Sequence, residues 1–257
     1  MRDLLVLCYH AVSPRWPAAL SVTPAALDAQ LGELVRRGYR GARFTDALAA
    51  TPQGPTVVVT FDDGYRSVLE LAKPILDRHG LPGTLYVPSD WPDAGRPMRW
   101  PGIDRWLGTE HEPELECLGW EELRGLAADG WEIGSHTCSH PRLPQVRDDA
   151  ELARELRASK ARIEAELGRP CSSLAYPYGA VDGRVEAATA AAGYTAACTI
   201  PRVLASPRPL SWPRTPIFHV DDRRRFGRKV SPRIRRLRAS AAGRRLDRLR
   251  VARSERR

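Results

Sequence analysis

The sequence predicts an α/β fold built on a parallel sheet, open or closed into a barrel. Three observations carry this: short apolar runs recur along the chain, helix-patterned segments separate them, and the motifs rich in chemistry follow directly on apolar runs. Its 257 residues suit one barrel or at most two small domains.

The first run, LLVLCY at 4–9, reads as a buried strand. Thr23 before Pro24 is an N-cap signature, and the helix it opens, 24–37, ends at Gly38. A strand follows at 56–61 (TVVVTF), then a helix at 66–79 and a strand at 83–87. Segment 88–119 is rich in Pro, Gly and Trp and reads as a long loop over one face, the kind that often forms a lid or binding surface. Beyond it come helix 120–129, strand 131–135 and helix 148–168, which stops at Gly168 with Pro170 behind it. Strand 172–176, helix 181–192 and strands 194–199 and 216–220 complete the alternation.

Composition narrows the class. Hydrophobic residues make up 42% and charged residues 28%, as in soluble globular proteins. No run of 18 apolar residues exists, so no spanning helix is expected. The opening MRDLLVLCYH has too short an apolar stretch, and too acidic a start, for a secretory signal. Five scattered Cys without a CxxC argue against a disulfide framework and for a reducing compartment. The expected location is cytoplasmic, with peripheral attachment at the inner face of the membrane as an extension. The net charge of +9 is concentrated in residues 222–257, where 16 Lys/Arg face three acids; the other 221 residues carry 24 − 28 = −4. The expected organisation is therefore a catalytic domain over 1–221 and an Arg-rich tail over 222–257, which either forms one short amphipathic helix or stays disordered alone.

Four motifs lie where predicted strands end. TFDDG at 60–64 sets two carboxylates side by side, which raises one pKa unless a cation intervenes. A metal beside one of them would leave the other free as a base. SHTCSH at 135–140 places His136 and His140 four apart, a spacing that brings both imidazoles to one side of a helical turn. One carboxylate and two His leave coordination positions open, as catalytic metal sites require. AYPYG at 175–179 has Pro177 to fix a loop and Gly179 to let backbone approach a ligand, and the Tyr178 N–H could face an oxyanion. CYHAV at 8–12 places His10 at the same rim, where it could protonate a leaving amine. Trp91, Trp100, Trp106, Trp120, Trp131 and Trp212 could stack on a sugar, although each one alone reads better as core or loop packing.

Together these motifs resemble the polysaccharide deacetylase domain, carbohydrate esterase family 4, over roughly residues 1–220. The resemblance implies a distorted parallel (β/α) barrel of about seven strands. It also implies metal-assisted removal of an N-acetyl group from an amino sugar in a glycoconjugate or precursor. Carried over by motif, Asp62 is the general base. Asp63, His136 and His140 hold a divalent metal, zinc by preference. Pro177, Tyr178 and Gly179 contact substrate, with the Tyr178 N–H in the oxyanion hole.

Two departures stand out. The family's third motif commonly has Arg where this chain has Ala175, and Arg214 in SWPRTP is the candidate replacement. The late Leu-x-His motif is also absent; CYHAV resembles a permuted arrangement with an early YHxV His. His10 is thus assigned the acid role, with His219 in reserve. Two alternatives stay open: a hydrolase of N-formyl sugars or cyclic ureides on the same site, and an inactive protein that binds anionic surfaces. For the basic tail an anionic membrane surface is preferred over nucleic acid.

Overall fold

A computed structural model describes residues 3–50, 53–201, 203 and 206–254. The strands are β1 Leu4–Tyr9, β2 Ala11–Val12, β3 Ser21–Val22, β4 Arg40–Gly41, β5 Thr56–Phe61, β6 Gly83–Val87, β7 Glu132–Ser135, β8 Ser173–Ala175, β9 Ala196–Thr199, β10 Trp212–Pro213 and β11 Thr215–Pro216. The helices are α1 Pro24–Arg36, α2 Phe44–Ala49, α3 Lys73–Arg78, α4 Trp120–Ala128, α5 Asp149–Leu167, α6 Gly183–Ala191, α7 Arg223–Val230, α8 Pro232–Ala239 and α9 Ala241–Ser254.

The main sheet runs β10-β9-β8-β7-β6-β5-β1-β11, every neighbouring pair parallel, and β4 pairs separately with β5. Its two ends are consecutive in sequence: β10 pairs with β9, β11 pairs with β1, and only Arg214 separates them. One short segment thereby draws the sheet round into a nearly closed barrel. Among the described residues the sheet counts nine strands where the sequence suggests about seven. The difference arises because the last strand is cut in two at Arg214 and β4 adds a stub. The expected strand at 216–220 is shifted upstream to 212–216, and Ile217 merely donates its N–H to the Cys8 carbonyl. Pro213 and Pro216 cannot donate to a ladder, so each stands at the end of a two-residue strand.

Side chains alternate between the two faces of each strand. Leu5, Leu7, Val57, Val59, Leu85, Val87, Leu174 and Ala197 point outward into the main core beneath the helices. Val6, Val58, Tyr86, Ala175, Ala196 and Cys198 point inward and pack with Phe44 and Ala47 of α2. Helix α2, which the sequence reading missed, plugs the N-terminal end of the barrel. It is held there by Phe44 N–H to Thr84 Oγ1 (3.1 Å) and Thr45 N–H to the carboxylate of Glu132 (3.0 Å).

Gly134 lies on the inner face of β7, where a Cβ would sit 2.6 Å from the Tyr86 ring and 2.6 Å from Ser173 Oγ. Gly134→Ala should therefore overpack the interior and cost about 1–3 kcal/mol. Urea unfolding monitored by circular dichroism would measure this, and a midpoint equal to wild type would contradict it.

The predicted helix 66–79 is a π-turn over Val68–Ala72 followed by α3. Pro74 has no N–H for the usual bond, and the widened turn absorbs the interruption. In the basic tail, residues 223–254 form three helices, and residues 255–257 lie outside the described ones. Helix α7 docks through buried Phe226 and Val230, and Lys229 bonds Asp221 (2.5 Å). No helix among the described residues is long and apolar enough to cross a membrane.

Candidate active site

The inward alternation continues past the ends of the strands and sets the site. Positions 6, 8 and 10 along and just past β1, 58, 60 and 62 along and just past β5, and 134 and 136 in and just past β7 share the inner face. His10, Asp62 and His136 thus rise from the barrel interior at its C-terminal rim, the usual place for catalytic groups in such barrels. Asp63 and His140 come from the loops that follow. Among the described residues five non-glycine residues have positive φ, and four surround this rim: Asp63 (74°), Thr137 (68°), His140 (66°) and Tyr178 (58°). Backbone held in this region costs on the order of 1–3 kcal/mol per residue and concentrates at functional sites. The His136–His140 spacing, expected to act through a helical turn, is realised instead by a loop bent at Thr137 and His140.

Asp63, His136 and His140 are all buried, and one ligand atom from each lies within 4.8 Å of the others. Asp63 Oδ1 is 3.4 Å from His136 Nε2 and 3.4 Å from His140 Nε2. These separations are long for hydrogen bonds. They match the roughly 3.3 Å between neighbouring ligand atoms that share a tetrahedral metal at about 2.0–2.1 Å. Asp63 Oδ1 is moreover a buried oxygen without a hydrogen-bond partner among the described residues. This donor set fits a divalent cation.

His136 Nδ1 lies 2.7 Å from the Ala175 carbonyl. That contact requires the proton on Nδ1 and leaves the Nε2 lone pair facing Asp63. Burial pushes the His140 pKa down to about 3, so this ring is neutral and can ligate at neutral pH. Its face stacks on Trp100 at 4.2 Å between centroids. Burial opposes charging His136, but Asp62 and Asp63 outweigh it and raise that imidazole above its ordinary value.

Asp62 is only 2% exposed, and Arg214 grips it with both arms: Nη1 donates to Oδ1 and Nη2 to Oδ2, each at 2.6 Å. Nη1 also donates to Thr60 Oγ1 (2.9 Å), whose hydroxyl donates to the Leu7 carbonyl (2.7 Å). Burial alone would raise the Asp62 pKa, but Arg214, with His136 and His10, holds it well below the carboxylate range. His10 Nε2 lies 4.0 Å from Asp62 Oδ2, and the Cys8 thiol lies 3.5 Å from the same oxygen. His219 points elsewhere, with its Nδ1 3.3 Å from the Ser21 carbonyl. Ala175, in place of the third-motif Arg, pairs in register with Cys198, whose thiol feels the Arg214 charge. The guanidinium thus reaches Asp62 from the neighbouring closing segment.

On the other wall, Tyr178 packs its ring against His140 (4.8 Å) and under Arg142 (4.3 Å), and its hydroxyl donates to the Pro101 carbonyl (3.2 Å). The YPYG turn and the long loop thereby meet. Pro177 is buried. Gly179 has φ 64°, and a Cβ there would lie 2.6 Å from the Ile200 backbone nitrogen.

Of the Trp candidates, Trp91, Trp100, Trp120 and Trp131 are buried, Trp100 as the ring behind His140. One contributor is absent from the sequence reading: Glu155, 1% exposed on α5. Its carboxylate accepts from Cys138 N–H (2.9 Å), Ser139 N–H (3.0 Å) and Ser139 Oγ–H (2.8 Å), anchoring the loop between His136 and His140. A buried charged residue inside a helix pattern was its one visible signal. Glu155→Ala should leave the buried Cys138 N–H unpaired, free the Ser139 N–H, and weaken metal affinity about 10- to 100-fold. Titration of the chelator-stripped protein with metal would test this; unchanged affinity would mean that the loop holds itself.

The polysaccharide deacetylase family profile matches residues 49–197. YxkH of Bacillus subtilis (strain 168) is 25% identical over 196 residues, which cover 74% of this chain and 62% of that protein. The chain thus spans less than two thirds of this relative's length. The structure resembles that of the Streptococcus pyogenes deacetylase PplD in complex with acetate (TM-score 0.74, 23% identity, 89% of this chain and 98% of that one). It also resembles IcaB from Ammonifex degensii (TM-score 0.72, 22% identity, 90% and 96%). With TFDDG, SHTCSH and AYPYG inside the matched region and the barrel shared with these structures, the chain belongs to the polysaccharide deacetylase family.

Proposed function

We propose that this protein is a divalent-metal-dependent hydrolase that removes the N-acetyl group from an amino sugar of a glycoconjugate or its precursor, releasing acetate. The observation that carries the proposal is the pairing of two differently held aspartates. Asp62 is clamped by Arg214, and its neighbour Asp63 faces two imidazoles across 3.4 Å. Two adjacent carboxylates are thereby given separate tasks.

Zinc suits a set of two neutral imidazoles and one carboxylate. Held by Asp63, His136 and His140, the cation supplies Lewis acidity to an acyl oxygen and to water, whose pKa such ions lower to about 7. The chain's own residues do the rest. Asp62, kept ionised and oriented by Arg214, accepts the proton of the attacking water. The Tyr178 N–H serves the developing oxyanion. His10, close to Asp62 at the open end of the barrel, gives a proton to the leaving amine. Trp100, buried behind His140, and Tyr178, packed between His140 and Arg142, brace the rim. The missing third-motif Arg supported an inactive protein; the Arg214–Asp62 pair removes that support.

The test is acetate release from a panel of N-acetylated sugars and oligosaccharides, with and without chelator, and with zinc, cobalt or manganese restored. Chelator-sensitive acetate release is expected. Formate from N-formyl sugars, or ring opening of cyclic ureides without acetate release, would reassign the bond. No hydrolysis across the panel by metal-loaded protein would reject the proposal.

A further inference from the structure

The end of the chain forms a surface that the hydrolase reading does not use. Helices α8 and α9 fold back on each other as a hairpin. They approach so closely that a Cβ on Gly243 would lie 2.2 Å from the Leu237 carbonyl, and Arg238 pairs with Asp247 across the seam at 3.1 Å. Facing solvent, Leu237 is 65%, Leu246 56% and Leu249 54% exposed, with Ile234 at 36%. Ile234 and Leu237 lie three apart on one helix and Leu246 and Leu249 three apart on the other, so each pair shares a side. Arg233, Arg236, Arg245 and Arg248 are exposed around them. Nearly all other large apolar side chains of the barrel are covered, and the barrel portion of the chain is net acidic.

We infer that the α8–α9 hairpin is a docking surface for an anionic lipid bilayer, set so that the catalytic rim faces away from it. Charge complementarity selects an anionic partner, and the aliphatic residues among the arginines select a bilayer: a nucleic acid backbone gives four exposed aliphatic side chains nothing to enter. The orientation follows from the anchor. Arg235 Nη1 donates to Asp3 Oδ1 (2.8 Å) and its Nη2 to the Leu4 carbonyl, at the N-terminal end of β1. His10 lies past the other end of that strand, about 20 Å away at roughly 3.3 Å per residue. A hairpin resting on lipid therefore presents the site to the aqueous side, toward substrates that extend well beyond the headgroups. The inference uses only the tail's charge, exposure and attachment, so it can fail or hold independently of the hydrolase reading.

The experiment is flotation of the full chain with phosphatidylcholine vesicles, with and without about a third phosphatidylglycerol. Binding is expected only to the anionic vesicles, and weaker when salt is raised from about 0.1 M to about 0.5 M. Leu246→Asp with Leu249→Asp, and separately Arg245→Glu with Arg248→Glu, should each lower partitioning at least about ten-fold. Both variants should keep the wild-type circular dichroism spectrum and the wild-type rate on a soluble substrate. Vesicle binding should leave that rate unchanged, as a rim turned to water requires. Four results would overturn the inference: no flotation of the wild type, equal binding to neutral vesicles, indifference to the leucine substitutions, or binding to duplex DNA in preference to anionic lipid.

Discussion

Arg214→Met should destabilise the protein by roughly 3–5 kcal/mol, because removing one member of a buried ion pair strands the other charge in the interior. The Arg214 side chain is 0% exposed and contributes two charged bonds to Asp62, plus one to Thr60. Methionine fills similar volume and supplies none of them. Turnover should fall by about 10² or more as well, since a base displaced by an ångström loses on that order. Arg214→Lys keeps the charge but cannot fork onto two oxygens, so it should recover part of the stability and little of the rate. The sign of the pH dependence follows from the depressed Asp62 carboxyl. Its contribution to stability is fully present above the ordinary Asp value of about 3.9 and is lost as pH falls through the folded one. The stability gap between wild type and Arg214→Met should therefore narrow in acid. Denaturant melts at neutral pH and near pH 3, paired with acetate assays, measure both effects. A methionine variant as stable as wild type at pH 7 would show that the pair does not hold the barrel together.

Asp63→Ala and His136→Ala should each abolish stoichiometric metal and lower activity on the order of 10³-fold or more, the scale of several kcal/mol of Lewis-acid stabilisation. Asp62→Asn should behave differently, keeping one metal per chain while losing about 10²–10⁴ in rate, the range of a lost general base. Elemental analysis beside acetate release separates the two classes. Should His136→Ala bind as much metal as wild type, the ligand set is wrong even if activity falls. Protons compete for the same nitrogens. With the His136 pKa raised by Asp62 and Asp63, metal affinity should begin to weaken on acidification above the ~6.5 of an ordinary imidazole.

The parts of this molecule legible in the sequence are those governed by short-range pattern. TVVVTF and LLVLCY are buried strands because nearly every residue is apolar, and the motifs after them mark the rim because strands end there. Asp63, His136 and His140 converge as their motifs imply. Arg214 was named as the replacement for the residue missing at Ala175, and it meets Asp62. What was illegible depends on partners remote in sequence. Helix α2 is six residues long and stands because Thr84 and Glu132 satisfy its first N–H groups. The run PIFHV looks like a strand, but the ladder forms just upstream of it, where the partners β9 and β1 lie. The three tail helices were hidden by an Arg content that reads as disorder; Phe226 and Val230 bury the first of them.

The placement of Arg214 between the two half-strands has a consequence for assembly during synthesis. Asp63, His136 and His140 have all been synthesised by position 140, and most of the barrel wall follows by position 199. The guanidinium that clamps Asp62 comes only with the segment that joins the first strand to the ninth. A chain cut before it has an open wall and an unsupported Asp62. Closure of the barrel and support of that carboxylate thus await the same short segment.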